Sequence, residues 1–231
     1  MTATDILFGD VYGCHGQSNM QFGLFNDMNA STQCLETVKF PLIRFTAYAA
    51  NQDWSVPSNA TACVEGRFKP FSAVCWYFGR DMYELLNSNS GAGTSVPVGL
   101  VASEVGGTPV EAWSGPDALS RCNQTQVVDR VGKLWTSLIV PLLPMQMSAH
   151  VWYQGENNVA AGNSGGAGCC SIGIEGPGVN ACANRGPAYV PADPQLCADY
   201  YGCQFPAMIE DWRSKWNGAS VVPQPSRAGL G

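Results

Sequence analysis

Apolar and polar positions along the chain switch between two periods. Compact apolar runs of strand length occur at Ile6–Cys14, Leu42–Thr46 (introduced by Pro41), Val96–Ala102 and Ala149–Gln154. Helical spacing separates them. In Ala73–Leu86 the residues Val74, Tyr77, Phe78, Met82 and Leu85 share one face. Val127–Leu143 reads as a second helix, ended by Pro141 or Pro144, and Ala198–Trp216 holds the last, with Pro206 near a break or a first turn. Strands that alternate with helices predict an α/β domain built on a mostly parallel sheet. About four strands are evident, so the sheet reads as unfinished on its C-terminal side.

Two stretches break the alternation. Residues 160–197 are rich in Gly, Pro and Ala, carry Cys169, Cys170, Cys182 and Cys197, and show no period. A loop of this length inside a compact domain is commonly functional, stapled or disordered, and we read it as a disulfide-stapled surface insertion. Residues 220–231 read as a tail. The expected organisation is therefore one domain over 5–219, long enough at 231 residues for a single sizeable core.

Composition narrows the function. Only 13% of residues are charged and the net charge is −6, which excludes the basic surface that a nucleic-acid partner requires. No run approaches the ~18 apolar residues that span a membrane. Ten cysteines, together with Asn-x-Ser/Thr triplets at Asn29, Asn59 and Asn123, point to an oxidising, glycosylating compartment. The expected location is secreted or lysosomal, although Met-Thr-Ala-Thr-Asp shows no signal peptide and suggests a fragment of a longer secreted protein. Neither histidine lies in a Cys/His cluster of zinc spacing. The cysteines split into two odd sets, five at 169–203 and five at 14–122. Full oxidation within the chain thus needs a bridge between the sets, for which Cys203 is the choice. The alternative leaves one thiol free in each set, with Cys14 buried behind a serine turn.

That turn is the chemical centre of the sequence. Gly16-Gln17-Ser18-Asn19-Met20 follows the first strand run, and parallel sheets bind ligands outside the carboxyl ends of their strands. It is not the Gly-x-Ser-x-Gly elbow, since position 20 is Met. Three further segments come in order: Gly99–Trp113, containing Gly106-Gly107-Thr108-Pro109; Val151–Asn158, containing Gln154-Gly155-Glu156; and Phe205–Arg213. With Phe8-Gly9-Asp10-Val11 ahead of the turn, they resemble the sialate O-acetylesterase family of SGNH-type carbohydrate esterases. The resemblance implies a three-layer α/β/α, flavodoxin-like fold. It also implies removal of O-acetyl groups from sialic acid or a related glycan through an acetyl-serine intermediate, with no metal or organic cofactor.

Carried onto this chain, the family motifs make Ser18 the nucleophile. They assign the oxyanion hole to the backbone N–H groups of Ser18 and Gly107 and the side-chain amide of Gln154. Gln17 and Glu156 are supporting residues, with Glu156 expected to hold the turn through backbone groups or Gln17. The family's base lies in an Asp-x-x-His segment, and neither His15 nor His150 has an Asp three residues earlier. Without a base a serine is a weak nucleophile. The expectations are therefore an esterase lacking its catalytic His and Asp or, alternatively, a non-catalytic glycan-binding relative; a structural disulfide-rich module is the third reading.

Overall fold

The computed structural model describes residues 4–65, 71–88, 95–122, 131–159 and 194–219. The insertion at 160–193, its cysteines up to Cys182, Asn123 and the 220–231 tail lie outside them. Tertiary contacts divide the chain into two compact units, one of Met1–Pro109 with Met147–Cys169 and one of Val110–Gln146 with Cys170–Gly231.

The first unit is the α/β part. Four strands, β1 (Asp10–Gly16), β2 (Ile43–Ala47), β3 (Val98–Glu104) and β4 (Ala149–Tyr153), form one sheet in the order β2-β3-β1-β4. Every pairing is parallel. The register sets Gly16 beside Glu104 on one side and Tyr153 on the other, so β1, β3 and β4 end level. Strand β1 begins four residues later than the apolar run suggested. The leading residues Ile6 and Phe8 are 61% and 90% exposed, so their hydrophobicity has no neighbouring strand to bury it.

Helices α1 (Ala30–Glu36), α2 (Asn59–Ala62) and α3 (Ala73–Asn87) connect the strands. Ser72 caps α3, its Oγ accepting from Cys75 N at 3.1 Å. The buried face of α3 carries Ala73, Cys75, Trp76 and Gly79 and packs in one core with Tyr12, Cys14, Phe45, Leu100 and Ala102 of the sheet. A side chain on Gly79 would start 2.4 Å from Leu100 Cδ1, so glycine is what lets α3 lie close on β3. Cys14 is not a free thiol: it is bonded to Cys75 and ties the end of β1 to the first turn of α3. Periodicity carries no information on pairing, and only the docking of α3 brings these sulfurs together. Cys34–Cys63 joins α1 to the end of α2.

The second unit holds a single helical turn at Val110–Trp113, α4 (Pro116–Arg121), wide and tight turns at Trp135–Ile139 and Val140–Leu142, and α6 (Pro194–Ala219). Of the expected helix over Val127–Leu143, residues 127–130 lie outside the described ones; from 131 on it is not regular, with Gly132 at φ +65° and then a π-type turn and a 3-10 turn. Pro206 neither breaks nor begins α6, which runs through it. The proline ring crowds the carbonyl four residues back, and that residue is Gly202, exposed with open space around it. Cys203 bonds Cys122, the expected link between the two cysteine sets. Alongside it Gln204 Nε2 donates to Ser114 Oγ at 2.9 Å and Trp212 Nε1 to the Trp113 carbonyl at 3.2 Å. Lys215 pairs with Asp117 and Asp211.

Candidate active site

The serine turn is built by hydrogen bonds that leave its nucleophile outside. At the end of β1, Gly16 adopts φ +143°, and a Cβ there would lie 2.1 Å from the Tyr153 carbonyl oxygen. Only glycine fits. Gln17 N then donates to that carbonyl at 3.1 Å, and Gln21 N donates back to Gln17 O at 2.9 Å, closing one helical turn around Ser18, Asn19 and Met20. Gln17 and Met20 are buried while Ser18 and Asn19 are exposed. Ser72 Oγ donates to the Met20 carbonyl at 2.6 Å, so the cap of α3 also anchors the turn.

The loop after β3 closes over the same edge. Val105 N donates to Gly16 O at 3.0 Å, and Gly106 N donates to Gln21 Oε1 at 3.0 Å. A side chain on Gly106 would start 3.8 Å from both Cα and Cβ of Ser18. The N–H of Gly106 is thus occupied. Gly107 is exposed at φ +71° and would meet nothing within 4 Å of a Cβ, which leaves room for a ligand group to approach.

The third segment comes after β4. Gln154 Nε2 donates to the Thr108 carbonyl at 3.0 Å, to Gln17 Oε1 at 3.2 Å and to Asn158 Oδ1 at 2.7 Å. One amide side chain therefore ties the serine turn, the glycine loop and α5 (Glu156–Val159) together. Asn158 is buried and was not among the expected site residues. Its only sequence signal is the four-residue spacing from Gln154, which one turn of α5 makes adjacent. Glu156 meets neither of its expected partners. Gln17 is buried and bonded to Gln154, whereas the exposed Asn19 Nδ2 donates to Glu156 Oε1.

The two histidines pair with one another. His15 Nε2 and His150 Nδ1 are 3.1 Å apart, on neighbouring strands. Burial, with His150 nearby and the Ser103 backbone opposing, holds His15 well below the usual imidazole value, so it is neutral. His150 lies beside Gly13, three residues before the level of Gly16, hence about 10 Å below the strand ends. Beside Gly16, at the end of β3, Glu104 is fully desolvated. Burial pushes its carboxyl up to about 8, and its Oε2 has no hydrogen-bond partner.

A cleft of about 410 Å³ opens at the opposite, amino end of the strands, lined by Ile6, Val11, Arg44, Trp54, Val56 and Pro97 among others. Its lining holds no serine, cysteine or histidine, and Arg44 is already bidentate to Asp5. The carboxyl edge, with an exposed serine hydroxyl, an open glycine and a fixed amide, has the parts for acyl transfer.

Known proteins resemble this chain along most of its length. Residues 9–165 match the family model for "Carbohydrate esterase, sialic acid-specific acetylesterase". Sialate O-acetylesterases of Pongo abelii and Homo sapiens are each 31% identical over 239 residues, covering 94% of this chain. The chain spans only 37% of the length of those two relatives. A carbohydrate acetylesterase structure from Xanthomonas citri shares the fold, with a TM-score of 0.57 and 24% identity over 90% of this chain and 39% of that one.

Proposed function

This chain belongs to the sialic acid-specific acetylesterase family of carbohydrate esterases, and from that premise we propose that it carries the nucleophile and oxyanion site for removing O-acetyl groups from sialic acid or a related glycan. The observation that supports this reading best is the exposed Ser18 at the end of a central parallel strand, with the Gly106–Gly107 loop against it. Ser18 Oγ attacks the acetyl carbonyl, the sugar oxygen leaves with a proton, and water then releases acetate from acetyl-Ser18. The N–H groups of Ser18 and Gly107 receive the developing oxyanion. Gln154 Nε2 has two hydrogens facing three carbonyl acceptors. Both hydrogens are therefore engaged, and Gln154 serves the oxyanion only by giving up one of these bonds.

The missing function is proton removal. His15 and His150 are engaged with each other below the strand ends, and the family's Asp-x-x-His motif does not occur in this sequence. This chain should therefore hydrolyse 4-nitrophenyl acetate only weakly, at the level that an oxyanion hole and binding alone sustain, about 10³–10⁴-fold over water. Added imidazole, as an external base, should raise that turnover in the parent chain and not in Ser18→Ala. Mass spectrometry should find the acetyl group on Ser18. Turnover indifferent to Ser18→Ala would remove Ser18 from the mechanism, and robust turnover lost in His15→Ala would make His15 the base.

The engagement of both histidines favours one second reading, a glycan-binding relative that does not turn over. Binding of O-acetylated glycans with no acetyl transfer in imidazole would select it. Three disulfides among the described residues support a secreted or lysosomal location.

A further inference from the structure

The paired histidines converge with a third donor. Built onto Gly13, in the middle of β1, a Cβ would lie 2.4 Å from His15 Nε2, 2.9 Å from His150 Nδ1 and 2.9 Å from the Sδ of Met147. Two imidazole nitrogens and a thioether sulfur therefore surround the place where a side chain is absent. From the convergence of His15 Nε2, His150 Nδ1 and Met147 Sδ over Gly13, we propose a binding site for one monovalent copper ion, separate from the serine turn.

The donor geometry suits an ion. The two nitrogens stand 3.1 Å apart, and with metal–imidazole bonds of ~2.0 Å that separation closes an angle of about 100° at the metal. The rings are tilted by 30° with centroids 5.3 Å apart, so both nitrogens face the same gap instead of stacking over it. His15 is fully buried beside Ser103 of the neighbouring strand, so packing holds its ring in place. Donor softness selects the ion: a thioether with two imidazoles suits Cu(I), whereas calcium, magnesium and manganese want oxygen ligands. Access runs from the β4 side, where His150 is exposed and Met147 half-buried, while His15 and Gly13 form the floor. Binding shifts the proton that now lies between the two nitrogens to the far nitrogen of its own ring, so both imidazoles bind the ion neutral.

The test is an anaerobic titration of the oxidised full chain with Cu(I), its free thiols counted and alkylated, against bicinchoninate as competing chelator. One ion per chain is expected, with no net release of protons near neutral pH, since both imidazoles are neutral before and after binding. His150→Ala should weaken binding at least tenfold. Met147→Leu should remove the sulfur contribution from the copper X-ray absorption spectrum while leaving the nitrogen ligands. Both variants change residues with solvent exposure, and thermal melts of the metal-free proteins check that they fold. Should His150→Ala fail to fold, Met147→Leu and its spectrum decide the matter alone. No stoichiometric binding, equal affinity in both folded variants, or a spectrum that keeps its sulfur in Met147→Leu would each overturn the site.

Discussion

Single side chains at the carboxyl edge set both the shape of the site and its response to pH. Glu104 keeps its proton in the folded chain up to about pH 8, whereas an unfolded glutamate releases it near 4.5. The folded state thus holds more protons across that window, so stability is complete below it and declines as pH rises through it. Glu104→Gln has nothing to titrate. Thermal melts should show the parent chain losing stability from pH 5 to 8 and the variant staying nearly flat, ahead by on the order of 4 kcal/mol at pH 8. Parallel pH slopes in the two proteins would refute this account. Asn158 works through packing of polar groups instead. Asn158→Ala takes a carbonyl from the Gln154 amide, one of its three acceptors. Two acceptors remain for its two hydrogens, so we expect a loss of about 0.5–1.5 kcal/mol in urea unfolding, with Asn158→Asp, which keeps an acceptor there, closer to the parent. That the segments of Ser18, Gly107 and Gln154 follow parallel strands was legible in the sequence, while their roles rest on the family resemblance. Sequence reasoning missed Asn158 and the Asn19–Glu156 pair because side-chain hydrogen bonds between distant segments leave no period.

At the scale of elements, the strand and helix runs were readable where burial supports the pattern. Ala73–Leu86 and the helix Ala73–Asn87 nearly coincide, but the fully buried face is Ala73, Cys75, Trp76 and Gly79, while Val74, Tyr77, Phe78 and Met82 pack only in part and Leu85 is 66% exposed. The reading failed at Ile6 and Phe8, where apolar residues stay exposed, and at 131–143, where a positive-φ Gly132 and irregular turns replace a helix. The Cys14–Cys75 bridge closes 61 residues of chain and clamps the serine strand to α3. Loop-closure arithmetic gives it about 4 kcal/mol. The double variant Cys14→Ala/Cys75→Ala should shift the urea midpoint accordingly, and a shift worth under about 1 kcal/mol would show that packing alone holds β1 to α3. Cys122–Cys203 fastens α6 within the second unit. Removing it should lower hydrogen-exchange protection at Gln204–Trp212, and unchanged protection there would assign the anchoring to the tryptophan contacts.

For the molecule as a whole, the order β2-β3-β1-β4 places the serine strand between the strands that carry the glycine loop and the amide. The three proposed contributors come from positions 18, 107 and 154, so the proposed site draws on segments far apart in the chain. Gly16 and Gln17 complete their backbone contacts only against Tyr153. Long-range pairings of this kind form late in folding, because their loop entropy must be overcome first. During synthesis the serine emerges well before the strand that finishes its surroundings. A nascent or half-folded chain thus carries the serine turn without the Tyr153 carbonyl and the Gln154 amide that fasten it, and the turn is locked in place only when the last strand docks.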